Sequence, residues 1–200
     1  MYCASLPPAV HLYPLLQALL SDWCTVLVPF RHLVSAHDPV RQLRAATCAG
    51  ITAPDWIFTN EPSAVQEFWA RTSLHDRQAD MERINGGEAY YERSSSIYRY
   101  ATPQLFRPVV HGKRRRIAVV DGGVIPDGKH LSGERFVRML DYLRVPFGTF
   151  DVVETANDIV FDRLHPLAGW DVVQQRTGFP VANAIAGVLQ RRLGRLCAIA

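Results

Sequence analysis

The sequence predicts an α+β fold in which an antiparallel sheet packs with helices, and three observations carry that prediction. Two hundred residues, 48% of them hydrophobic, suffice for one domain with a real core or for two small lobes sharing an interface. Thr149 to Glu154 and Ile159 to Asp162 read as two strands joined by a tight turn at Ala156-Asn157-Asp158, which is an antiparallel hairpin. Apolar residues recur at helical spacing in separate runs, Val40, Leu43 and Ala46 in one and Phe136, Val137, Leu140 and Leu143 in another. Helices and hairpins that do not alternate strictly belong to α+β architectures rather than to parallel α/β ones.

The elements follow in order. Leu12 to Leu20 is an apolar stretch that suits a helix, and Thr25 to Phe30 a short strand. Asp38-Pro39 supplies an N-cap and a proline at the first helical position, opening a helix that Gly50 ends. Trp56 to Thr59 is a strand, and Asn60-Glu61-Pro62 restarts a helix with Ala64, Val65, Phe68 and Trp69 on one side. Residues 71–100 lose periodicity and contain Gly86-Gly87 and Ser94-Ser95-Ser96, so they read as loop with a short helix around Asp76 to Arg83. Leu105 to Val110 and Arg116 to Val120 form a second expected hairpin around His111-Gly112-Lys113, closed by turns at Asp121-Gly122-Gly123 and Pro126-Asp127-Gly128. Ser132 caps the helix of Phe136 to Leu143. A Pro/Gly loop with Trp170 follows the Thr149–Asp162 hairpin, and the last helix runs from Val181 to Leu196, burying Ala184, Ile185, Val188 and Leu189. Three regions result: 1–70, a linker at 71–100, and 101–200.

Composition excludes several function classes. A net charge of +3 with a pI near 8.8 is only mildly basic, and outside Lys113-Arg114-Arg115-Arg116 and Arg191-Arg192 the charge is scattered, without the dense footprint of a nucleic-acid face. Cys3, Cys24, Cys48 and Cys197 have neither CxxC pairing nor histidines at zinc-finger spacing and read as idle or buried thiols. Met1 to Leu20 has no basic start and is broken by prolines, which argues against a signal peptide. The chain has no uncharged apolar run long enough to span a bilayer. The expectation is a soluble cytoplasmic protein with no membrane or nucleic-acid partner. No Gly-x-Ser-x-Gly, Gly-rich phosphate loop or dinucleotide fingerprint is present.

Several phrases, in order, carry a resemblance. Arg41-Gln42-Leu43-Arg44-Ala45-Ala46 with Gly50-Ile51-Thr52-Ala53-Pro54-Asp55-Trp56-Ile57-Phe58-Thr59-Asn60 comes first. Thr102-Pro103-Gln104-Leu105-Phe106 through Arg116-Ile117-Ala118-Val119-Val120 is next. Phe-Gly-x-Phe-Asp from Phe147, Gly169-Trp170, Thr-Gly-x-Pro from Thr177 and Ala-Ile-Ala-x-x-Leu from Ala184 complete the set. Together these resemble the ATP-grasp ligases, in the branch of the glutamate ligases and ribosomal peptide maturases, over roughly residues 36 to 190, with the part before the first match shortened. The resemblance implies ATP-dependent activation of a carboxylate and its ligation to an amine or hydroxyl in peptide or amino-acid modification, with ATP and Mg2+ as cofactors. A peptide or amino-acid substrate is implied, and a homodimer or a partner ligase subunit is conceivable. It places Asp151 at the first acidic metal-ligand position, Arg116 at a strand arginine facing phosphate or substrate, and Val109 with them at the nucleotide in the lobe-joining segment.

The chain departs from the pattern where the family has Glu-x-Asn before a proline, because Arg163-Leu164-His165-Pro166 stands there. A guanidinium in place of a carboxylate removes a hard oxygen ligand and adds a positive charge. Lys113 and Lys129 are the only lysines, and Pro39 stands near an expected phosphate-binding lysine. Arg163 therefore has two readings: a built-in cation with a catalytic role beside phosphate, or an ion-pair partner of Asp151 or Asp162. His165 either joins Asp151 in holding a softer metal or is an ordinary loop residue. Trp170 stacks on a ligand or packs in the core. The alternative to a ligase is a catalytically inactive relative that binds a peptide or a partner.

Overall fold

The computed structural model describes residues 28–73, 81–85, 88–92, 100–125, 133–156 and 158–197. Six helices and eight strands lie within them: α1 (Phe30–His37), α2 (Pro39–Ala49), β1 (Ile57–Thr59), α3 (Pro62–Ser73), β2 (Met81–Asn85), β3 (Glu88–Glu92), β4 (Gln104–Pro108), β5 (Lys113–Val120), β6 (Gly123–Ile125), α4 (Gly133–Leu143), β7 (Phe147–Glu154), β8 (Ile159–Pro166), α5 (Trp170–Thr177) and α6 (Val181–Cys197). The expected helix at Leu12 to Leu20 lies outside the described residues, as do the turn at Pro126-Asp127-Gly128 and the cap at Ser132.

The strands make two four-stranded antiparallel sheets, β1-β4-β2-β3 and β6-β5-β7-β8. Alternation along β5, β7 and β8 gives the second sheet two different faces. Ile117, Val119, Phe150, Val152, Phe161 and Leu164 pack against α2 and α4 in the main core, where Phe136 and Phe150 meet edge to face at 4.9 Å. Ala118, Val120 and Phe147 point the other way, onto Val173 of α5 and Val181, Ile185 and Val188 of α6. α3 lays Val65 and Phe68 on Met81 and Phe106 of the first sheet.

Local sequence explains the boundaries. Asp38 Oδ1 accepts from the Val40 and Arg41 amides, satisfying two orphan donors at the start of α2, and Gly50 closes it in the left-handed conformation at φ 77°. Asp121 and Gly122 both have positive φ, 54° and 82°, the requirement of the tight turn that joins β5 to β6.

Four expectations are corrected. Phe30 opens a helix rather than closing a strand, and residues 25–27 lie outside the described set. Met81 to Arg83 belong to β2, not to a short helix, and β3 follows, because tertiary pairing with β4 outweighs weak local periodicity. Residues 105–120 do not form a hairpin: β4 pairs with β1 and β2, whereas β5 pairs with β6 and β7. Pro108 has no N–H to extend the β4 ladder, and the chain crosses from one sheet to the other over 109–112. The second strand of the 149–162 hairpin continues to Pro166, so Arg163 and His165 lie on a strand and not in a loop, and a further helix, α5, occupies the expected Trp170 loop.

A β-bulge shapes this edge of the sheet. Asp151 pairs with Arg163 and Val152 with Phe161, which leaves Asp162 as an extra residue. Phe161 and Leu164, three apart, thereby share the core face. The outer edge of β8 is not left open. The Thr52 carbonyl accepts from the Phe161 amide at 2.7 Å. The Gln42 amide donates to the Leu164 carbonyl at 2.9 Å and accepts from the Leu164 N–H at 3.0 Å.

Candidate functional site

Adjacent strands bring three of the sequence-predicted residues together. Register sets Arg116 of β5 beside Asp151 of β7, and Asp151 beside Arg163 of β8. All three side chains, with His165 two residues further on, lie on the sheet face that α5 and α6 cover only in part. Arg116 Nε and Nη2 donate to the two oxygens of Asp151 at 2.6 and 2.8 Å. His165 Nε2 lies 2.7 Å from Asp151 Oδ2 and 3.3 Å from Arg116 Nη2. Side-chain exposures of 27%, 25% and 28% for Arg116, Asp151 and His165 place the cluster partly out of water, where charge pairs are screened less than on the open surface.

Burial opposes ionisation of Asp151, but the hydrogen bonds from Arg116 and His165, with their charges, outweigh it and hold the carboxyl well below its usual range. The same pairing raises the pKa of Arg116, with Asp171 of α5 adding to it. α5 is set over this cluster by Thr149, fully buried, whose hydroxyl donates to the Ala168 carbonyl at 2.7 Å. Gly169 then turns into α5 at φ 75°, and a Cβ there would meet Thr149 Oγ1 at 2.5 Å. Trp170 packs against the apolar residues under α5 and α6.

Arg163 takes neither of the partners expected for it. Asp151 is held by Arg116 and His165, and Asp162 by Arg107. The guanidinium of Arg163, half-buried, makes no hydrogen bond or ion pair with a described residue. It lines a cleft of about 200 Å³ with His37, Pro39, Gln42, Arg107 and His165 among the other walls. The pKa of His37 is lowered, first by packing and then by the charge of His165. Val109 lies in the crossing between the sheets, half-buried. Of the basic run, Lys113 and Arg114 are exposed, and Arg116 is the member that reaches the cluster.

Sequence reasoning missed the second polar cluster. Arg107 of β4, its side chain 5% exposed, donates to Glu82 of β2 at 2.5 Å and to the carboxylate and carbonyl of Asp162 on β8. This one guanidinium joins the two sheets across the cleft. The sequence signal was the apolar pair Phe161 and Leu164 at an odd spacing within a strand, which requires a bulge and turns Asp162 outward.

The ligand chemistry of Mg2+ does not fit these residues. Octahedral magnesium needs hard oxygen donors, and both Asp151 oxygens are already bound by cationic or histidine donors with Arg163 next to them. Among the described residues no group of three His, Cys, Asp or Glu could hold a metal.

No protein-family model matches the chain, and no curated protein matches it. Solved structures do. The fold is that of the ATP-grasp ligases. The ATP-grasp ligase PsnB, solved with a phosphomimetic variant of its minimal precursor, Mg and ADP, superposes with a TM-score of 0.72 at 17% identity over 90% of this chain and 68% of PsnB. The macrocyclase MdnC from Microcystis aeruginosa MRC, bound to precursor peptide MdnA, gives 0.72 at 15% identity over 94% of this chain and 73% of MdnC. The D-alanine-D-alanine ligase from Coxiella burnetii gives 0.59 at 13% identity, covering 92% and 68%. Peptide-modifying ligases are thus prominent among the structures that share this fold. Among the described residues no helix is long and apolar enough to cross a membrane.

Proposed function

We propose that this chain is an ATP-grasp ligase-type protein of peptide or amino-acid modification, in which the face around Arg116 and Arg163 receives the phosphate chain of ATP and a substrate carboxylate. The observation that carries the reading is the row Arg116–Asp151–Arg163 across three strands, next to a cleft, in a fold shared with ligases solved with ADP and precursor peptides. In an ATP-dependent ligation the carboxylate attacks the terminal phosphoryl group, ADP leaves, and an amine or hydroxyl displaces phosphate from the acylphosphate. Negative charge grows on phosphoryl oxygens during the first step. A fixed guanidinium stabilises that charge without reorganising. Arg116 is fixed by Asp151, and Asp151 in turn by His165, so this part of the site is preorganised. Arg163 is free among the described residues to meet an incoming anion.

A second reading has an observation of its own. Occupation of both Asp151 oxygens, with no cluster of metal ligands among the described residues, favours a catalytically inactive relative that binds a peptide or a partner. One pair of measurements separates the two. ATP at millimolar concentration should raise the melting temperature, since a ligand at ~100 times its Kd stabilises by about 2.7 kcal/mol. ADP release should then depend on an acidic peptide together with an amine. A shift without turnover selects the binding reading, and no shift rejects the nucleotide reading.

A further inference from the structure

The cleft beside β8 places Arg163 among its walls. Resting on the nucleotide reading, we infer that Arg163 replaces the divalent cation: the site binds a phosphoanhydride chain without metal, through the guanidinium of Arg163. Three observations support this. First, the register puts Arg163 directly across from Asp151, so a positive charge occupies the place where a bridging carboxylate would be needed for a metal. Second, the carboxylates nearby are all engaged, Asp151 with Arg116 and His165 and both Glu82 and Asp162 with Arg107, whereas Arg163 has no partner among the described residues. Third, Arg107, His37 and His165 bring N–H groups to the walls of its cleft, and the carboxylate that lines it, Asp162, is held by Arg107.

The charge of the row favours an anion over a cation. Arg116 and Arg163 carry two positive charges against one on Asp151, so the row is net cationic even with His165 neutral, while beside it Arg107 balances one of the two charges of Glu82 and Asp162. A divalent cation would be repelled there, and a phosphate attracted. Five N–H donors in a planar fork suit bidentate contact with two phosphate oxygens, which an ammonium does not offer. Size points the same way. A cleft of about 200 Å³, below the ~300–1,000 Å³ of sites that enclose a whole drug-sized ligand, has room for phosphate groups.

The test is thermal shift and isothermal titration of the full chain with ATP, inorganic tripolyphosphate and adenosine, each in EDTA and in excess Mg2+. ATP and tripolyphosphate should bind in EDTA at least as tightly as in Mg2+, and adenosine should not. Arg163→Ala should weaken both phosphate ligands by ~10-fold to ~100-fold, as loss of a hydrogen bond to a charged group does. Because Arg163 has no structural partner among the described residues, that variant should melt with the unliganded parent. Arg163→Glu with His165→Asn, which rebuilds a Glu-x-Asn pair, should make binding require Mg2+. Binding of ATP only with Mg2+ in the parent would overturn the metal-free site and leave the nucleotide reading standing. Absence of binding by either phosphate ligand in both conditions would overturn both. Unchanged binding by Arg163→Ala, or adenosine binding as well as ATP, would remove Arg163 and the phosphate chain from the explanation.

Discussion

Gln42 offers the sharpest check on how the sheet edge is built. Its side chain, in a residue only 5% exposed, makes three hydrogen bonds: to the Leu164 carbonyl, from the Leu164 N–H, and to the Ala36 carbonyl at 2.6 Å. The amide thus acts as one residue of an extra strand. Gln42→Leu keeps the volume and removes all three bonds, leaving one buried N–H and two carbonyls unmatched. Each unsatisfied group costs ~1–3 kcal/mol, and burying the added apolar atoms returns ~1.5–2 kcal/mol. The net expectation is a loss of about 3 kcal/mol. Urea denaturation followed by tryptophan fluorescence reads this as a midpoint lowered by ~1–3 M, since urea slopes run ~1–3 kcal/mol per molar. Gln42→Glu supplies the contrast: its carboxylate still accepts from Leu164 N–H but offers no donor to either carbonyl and buries a charge, so at neutral pH it should be worse than Leu. A Leu variant within ~0.5 kcal/mol of the parent, a margin typical of surface substitutions, would show that the amide is not needed to complete the edge.

Two further predictions concern the ion clusters. The carboxyl of Asp151 is held below its usual range by Arg116 and His165, so the unfolded chain binds the extra proton; its stabilisation is complete above the unfolded value near ~3.9 and fades as pH falls toward the folded one. Asp151→Asn should therefore flatten the parent's loss of stability below pH ~4, in melts taken across the acid range. Arg107→Met strands Glu82, whose side chain is 6% exposed, together with Asp162, and should cost ~3–5 kcal/mol, while adding Glu82→Met should recover only the part owed to Glu82 in the same denaturation assay, because Asp162 still lacks its partner.

Much of the fold was legible because local chemistry agreed with tertiary need. Asp38-Pro39 and Gly50 bracket α2 as capping rules require, and the apolar stripes of α2 and α4 are the ones that meet in the core. Strand partners were less legible. Leu105 to Val110 and Arg116 to Val120 have hairpin composition, yet nothing in their own residues says that they belong to separate sheets. β2 hid among charges because Glu82 and Arg83 have partners elsewhere, Glu82 in Arg107 and Arg83 in the rings of Tyr90 and Tyr100. At the candidate site, resemblance pointed to Arg116 and Asp151, and the register pairs them. The role of His165 as a hydrogen-bond partner of Asp151 was hidden because the strand was expected to end at Asp162.

The bulge in β8 has an evolutionary consequence. Asp162 and Arg163 are neighbours of opposite charge, and the position of one supernumerary residue decides which of them confronts Asp151. Losing the single codon for Arg163 would let residue 162 pair with Asp151 while Phe161 still pairs with Val152 and Leu164 with Phe150, so no apolar side chain would leave the core. An arginine and a carboxylate are thus one deletion apart at this position, with the hydrophobic pattern of the strand unchanged.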